Sequence, residues 1–152
     1  MPKTLFVSQT EQVSKYVDQL CDALASQYRG YHKRMIEGNA RYFADGRRDL
    51  SDYATQQLKE LEDGTAKLMR FRVQSGRKYY KIIQEDFDTF QDRNEYRDGS
   101  VHAFVDKKTG DVYKPAGWAK PAIHVRYNLL DDQSREDCLT RCDWAGGYLY
   151  MR

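Results

Sequence analysis

Apolar side chains recur at steps of three and four along the first quarter of the chain. Val13, Tyr16, Val17, Leu20, Leu24, Tyr28, Tyr31 and Met35 fall on one stripe of a helix. Ser8 and Glu11 precede the stripe with capping-box spacing, in which the serine oxygen accepts from a first-turn amide and the glutamate reaches back. The pattern predicts a first helix from about residue 9 to about residue 44. An interior glycine costs about 1 kcal/mol relative to alanine, so a kink or break is expected near Gly30 or Gly38. Asp45-Gly46 is the expected stop. A second stripe of Leu50, Tyr53, Ala54, Leu58 and Leu61 follows, capped by Asp49 or Ser51 and ended by Asp63-Gly64. Two helices joined by a short polar loop read as an antiparallel hairpin.

The period then changes from helical to alternating. Leu68, Met69, Phe71 and Val73 interleave with Lys67, Arg70 and Arg72, a turn signal follows at Gln74-Ser75-Gly76-Arg77, and KYYKIIQ returns. This is a β-hairpin pattern. The acidic, turn-rich stretch 85–99 reads as a long loop, tethered by Phe87, Phe90 and Tyr96. Val101 to Asp106 is strand-like, and Lys107-Lys108-Thr109-Gly110 puts a glycine where a short hairpin loop needs positive φ. Asp111 to Lys114 returns as a strand ended by Pro115. Gly117, Trp118 and Pro121 suggest an irregular crossing, and Ile123 to Leu129 a last short strand. Asp131-Asp132-x-Ser134 caps a final helix to about Cys142. Gly146-Gly147 breaks it, leaving YLYMR as a tail.

The sum is an α+β fold: a helical hairpin over 1–65, then an antiparallel β-meander with a short C-terminal helix over 66–152, the two forming one cooperative unit. Hydrophobic residues make up 40% of the chain, but 12 of them are tyrosines. Mean hydropathy is −0.88. A thin, aromatic core follows, and tyrosine-rich surfaces suit an interface or a homo-oligomer. The net charge of +2, from 25 basic and 23 acidic residues, excludes a histone-like chain and an acidic tail. Three cysteines argue against a disulfide framework. The apolar runs are too short for a membrane span, and MPKTLFVSQT lacks the core of a secretory signal. A reducing cytoplasm is the expected setting.

The chemistry on offer is sparse. There is no GxSxG, no HExxH and no phosphate-cradling glycine loop. Cys138 and Cys142 stand four apart on the predicted last helix, and with His102 and His124 they make the one zinc set to weigh. The plainer reading is two small residues packing a helix on the sheet, with no metal and no cofactor. Cys21 reads as core. Glu85, Asp86, Asp88 and Asp92 could serve a metal-dependent nuclease, but a solvated acidic loop is the far commoner arrangement. The stronger feature is basic and aromatic. Lys67, Arg70, Arg72, Arg77, Lys78 and Lys81 surround Phe71, Tyr79 and Tyr80; Lys107, Lys108, Lys114, Trp118, Lys120, Arg126 and Tyr127 follow. Lysines and arginines meet phosphates by charge, and exposed rings stack on unpaired bases. Arg70, Arg72, Lys78, Tyr80, Lys107, Lys108, Lys114 and Trp118 are the residues expected on that surface.

The segment SVHAFVDKKTGDVYKPAGWAKPA, with VRYNLL after it and KYYKII upstream, resembles a segment of small bacteriophage-encoded proteins of unassigned function. The resemblance covers roughly the second half of the chain. It implies a phage gene acting in the host cytoplasm or in the virion, and assigns no role to any residue. The expectation is a binding protein and not an enzyme, meeting nucleic acid or a host nucleic-acid machine through the sheet. A virion structural or accessory protein is the alternative, and a metal-dependent enzyme the third.

Overall fold

The computed structural model describes residues 8–38, 41–42 and 48–150. Helix α1 spans Gln9–Gly38, with the Glu11 amide donating to Ser8 Oγ at 3.1 Å. It runs unbroken through Gly30. The rings of Tyr28 and Tyr31 on either side lie 5.3 and 5.1 Å from that of Trp144, and such contacts outweigh the small cost of one glycine. The helix ends at Gly38, not near residue 44. Two short strands, β1 (Arg41–Tyr42) and β2 (Arg48–Asp49), pair antiparallel in the connection. The expected stop at Asp45-Gly46 lies outside the described residues.

Helix α2 covers Asp52–Asp63. Ser51 caps it by accepting from the Ala54 amide, and Gly64, at φ 79°, closes it by donating to Glu60 O. The two predicted stripes need correction at one position each. Met35 is 49% exposed, and the adjacent Ile36 is buried with Ala54 and Leu61. At that end the neighbour of α1 is α2, which approaches from another side than the sheet does. Tyr53 is 74% exposed, because α2 buries only the side carrying Ala54 and Leu61.

The rest of the chain is a five-stranded antiparallel meander in sequential order: β3 (Arg70–Ser75), β4 (Tyr79–Asp88), β5 (Glu95–Asp106), β6 (Asp111–Pro115) and β7 (Pro121–Asn128). The expected loop over 85–99 is therefore mostly strand. Its pairing rests on polar cross-strand contacts that a hydrophobic alternation does not register. Phe87 and Tyr96 meet edge to face at 5.2 Å, and Arg97 Nη1 reaches Asp88 Oδ2 at 3.3 Å. The reversal itself is irregular, with Gln91, Asp92 and Asn94 all at positive φ, and a register shift at Gly99 interrupts the pairing on the β5 side. The loop after β5 is the tight turn expected. Gly110 sits at φ 77° and donates to Asp106 O at 2.9 Å, while the Asp106 carboxylate accepts from the Lys108 and Thr109 amides. The expected crossing after Pro115 is also a close reversal, with the Ala116 amide donating to Lys120 O at 2.9 Å.

Register separates the two faces of the sheet. Ser75, Tyr80, Val105, Val112 and Tyr127 pair across the strands in one row, and Gln74, Lys81, Phe104, Tyr113 and Val125 in the next. Adjacent rows point to opposite faces. The Tyr80 row faces α1: Val13, Val17, Leu20 and Leu24 are fully buried against Tyr80, Ile82, Ala103, Val105 and Val112. We call this the inner face. Helix α3 (Asp132–Arg141), capped by Asp131 accepting from Ser134 N, adds Cys138 to the same core. Of the expected tail YLYMR, the described part Tyr148 to Tyr150 is folded back onto the body, and Met151 and Arg152 lie outside the described residues. Gly146, at φ 84°, turns the chain into a short 3₁₀ turn, and Leu149 is 1% exposed in the core.

Candidate nucleic-acid interface

The eight residues expected on one surface are distributed over three places. Arg70, Arg72 and Trp118 are associated with the outer face. Arg70 and Arg72 pair across the strands with Glu85 and Ile83. Tyr80 is on the inner face and 9% exposed, so it is a core residue. Its neighbour Tyr79 points outward instead, since side chains alternate along a strand. Lys114 follows Tyr113, which faces outward, and its Nζ lies 4.6 Å over the ring of Tyr150. Lys78, Lys107 and Lys108 lie at one end of the sheet, where with Arg77 they line a cleft of about 380 Å³ beside Thr10.

The two arginines are already engaged. Arg72 makes a two-pronged contact with Asp98, Nε to Oδ1 at 3.0 Å and Nη2 to Oδ2 at 2.7 Å. That contact holds the Asp98 carboxyl below its ordinary range and raises the guanidinium. Arg70 meets Glu85 at 3.1 Å and stacks 3.7 Å over the Tyr96 ring. The expected acidic cluster is spent in the same way. Asp88 is held low first by the Phe90 amide and then by Arg97 and Arg93. Glu85 faces Arg70 and Arg72.

The face instead carries a group of rings around one lysine. Tyr79 meets Phe104 and Tyr113 edge to face at 5.8 and 6.1 Å. Lys81 Nζ lies 5.5 Å from the Phe104 ring centre and 5.3 Å from that of Trp118. Phe104, Ile83 and Val101 form a buried floor, and Trp118, Val125 and Ile123 are 49%, 43% and 86% exposed above it. Burial, and then the Asp111 charge, push the Tyr113 hydroxyl above its usual pKa, so it remains a neutral phenol. Phe104 and Tyr113 were missed as site residues. The signal was present in the K-K-T-G turn, whose register pairs them directly.

The zinc set does not assemble. His102 lies on the inner side with Nε2 2.8 Å from Tyr148 Oη, His124 is exposed on β7, and Cys138 is wholly buried. Among the described residues no group of three or more His, Cys, Asp or Glu is placed to hold a metal ion. All three cysteines are free and buried. Burial raises the thiols of Cys21 and Cys138 to about 12 and that of Cys142 to about 11, so none is poised as a thiolate nucleophile. Among the described residues no helix is long and apolar enough to cross a membrane.

Fold and site together define a class: a small α+β protein whose meander packs its inner face on a long helix and clothes its outer face in its own rings and cations. The chain belongs to a family described as one of unknown function (DUF7717), which matches residues 3–151. No curated protein and no solved structure matches it.

Proposed function

We propose that this is a phage-type binding protein, not an enzyme, that takes single-stranded nucleic acid across the outer face of its sheet in the host cytoplasm. One observation carries the reading: the ring group of Tyr79, Tyr113 and Trp118 adjoins a basic end formed by Arg77, Lys78 and Lys108. Lys78 Nζ stands 5.3 Å over the Tyr79 ring and links the two. Phosphates would meet the basic end, and bases would stack on the rings, which accept any sequence. Arg70 and Arg72 hold the face together through Glu85 and Asp98 and contribute little to binding.

The test is titration of a fluorescent oligothymidylate at several salt concentrations. Each cation contact adds about −0.7 to the log–log salt slope for a single strand, so about four contacts give a slope near −3. Lys78→Ala should flatten the slope by about one contact, and Arg72→Ala by much less. Trp118→Ala should weaken binding by about 1–3 kcal/mol if the ring stacks on a base. Absence of binding at low salt removes the reading. A second reading, a virion component or a docking protein, is favoured by the exposure of Ile123 and Val125 beside Trp118. Stoichiometric copies in purified particles would select it.

A further inference from the structure

On the inner side of the sheet lies a cavity of about 250 Å³. Its walls come from β4 to β6 and from the segment that follows α3. Drug-sized sites run from about 300 to 1,000 Å³, so this one suits an occupant no larger than a single nucleotide. The polar groups are Gln84, Ser100, His102 and Lys114, and Trp144 and Tyr150 add rings to the lining.

His102 is the unusual member. It is 7% exposed, and Nε2 is committed to Tyr148 Oη at 2.8 Å. Among the described residues Nδ1 has no hydrogen-bond partner. No fully buried side-chain nitrogen or oxygen among the described residues lacks one, so Nδ1 is not sealed off, and His102 lines the cavity. Burial lowers the imidazole pKa to about 4, and at neutral pH the ring is uncharged. An uncharged imidazole offers one donor or one acceptor, as a heteroaromatic edge requires. The phenol of Tyr148 is pushed well above its usual pKa by burial and remains a hydrogen-bonding partner for the ring.

The sheet is open at this place. β5 and β6 pair only at Phe104 with Tyr113 and Val105 with Val112. Beyond that point Pro115 has no amide to offer, and a bulge at His102 shifts the register of β5. Ser100, Val101 and Pro115 also line a hollow of about 290 Å³ bounded by Gly117 and Trp118. The inner cavity and the neighbourhood of Trp118 therefore share a wall.

We infer that the cavity is a nucleotide site: the base lies against Trp144 with its edge toward His102, Ser100 and Gln84, and the phosphate meets Lys114 beside Tyr150. This deepens the nucleic-acid reading above and rests on it for the ligand class. The nucleotide could be a free monophosphate or one unit of a bound strand.

The chain has two tryptophans, one at each site, and this separates the questions. In full-length Trp118→Phe, emission comes from Trp144 alone; in Trp144→Phe, from Trp118 alone. Titration of Trp118→Phe with the 5′-monophosphates of adenosine, guanosine, cytidine and uridine should quench Trp144 saturably for at least one of them. Lys114→Met, which keeps the stem over Tyr150, should raise the dissociation constant at least ten-fold. Thermal melting checks that both variants fold. If an oligothymidylate quenches Trp144 too, the occupant is a unit of the strand; if only the monophosphates do, it is a free nucleotide. Quenching by a monophosphate with no strand binding at Trp118 overturns the function proposed above and keeps the cavity site. Strand binding seen at Trp118 with Trp144 silent to every probe overturns the cavity site and leaves that function standing. Quenching that Lys114→Met does not weaken overturns the cavity site as well.

Discussion

The inner and outer faces of this sheet are built from the same strands, yet they solve different problems. The inner face meets α1 through aliphatic side chains, and Val105, Val112, Ile82 and Ala103 there are completely buried. The outer face covers the buried Phe104 with Tyr79 and Lys81 of the same sheet. Long amphipathic side chains can do this because their stems cover apolar surface while their tips stay wet. The inner face therefore holds the aliphatic core, and the outer face carries, above its own buried floor, exposed groups such as Trp118 and Ile123. A surface of that kind is free to serve binding.

The sharpest way to break this comparison is to remove matched apolar groups from each side. Leu20→Ala, in a fully buried position facing the sheet, should cost about 2–5 kcal/mol in urea denaturation. Ile123→Ala, at 86% exposure, should stay within about 0.5 kcal/mol. Equal effects would mean that the outer face is covered in solution.

Acid should act on the inner side next. His102 is held neutral by burial, with its pKa lowered from 6.5 to about 4. Between those values the unfolded chain takes up a proton that the folded chain refuses, so stability is intact above about pH 6.5 and falls as pH drops toward 4. The full loss is about 3 kcal/mol from this group. The difference between wild type and His102→Gln across that range isolates it, and identical pH dependence in both would refute the assignment.

Gly110 tests the turn that sets the register of both faces. Its φ of 77° and the approach of a Cβ to 3.0 Å from Leu130 Cγ should make Gly110→Ala cost about 1–3 kcal/mol, read as a lowered melting temperature. No loss would show the turn to be tolerant.

The smallest effect belongs to the outer-face ion pairs. Arg72→Ala should cost about 0.2–1 kcal/mol, less at high salt, because the pair is exposed. Trp118→Ala should leave the melting temperature nearly unchanged while lowering affinity for a strand. A large drop in stability would return Trp118 to the core.

Much of the architecture was legible in the sequence because it depends on local rules. The stripe Val13 to Leu24, the caps at Ser51 and Asp131, the left-handed glycines 64 and 110 and the alternation of β3 and β4 are set by residues close together in the chain. The hairpin reaching Asp88 and Glu95 was not legible, since its partners are charges and rings that look like loop. Nor was the side of Tyr80. Alternation places Tyr79 and Tyr80 on opposite faces, but only the docking of α1 decides which face becomes interior. The same holds for Met35 and Ile36, adjacent on α1, of which the approach of α2 buries the second. The pairing of Arg72 with Asp98 and the return of Leu149 and Tyr148 to His102 join residues 26 and 46 positions apart, or more. Local chemistry determined where most of the elements form and how several of them are capped or turned. Tertiary packing alone decided which side of each is dry, because burial depends on what arrives from elsewhere in the chain.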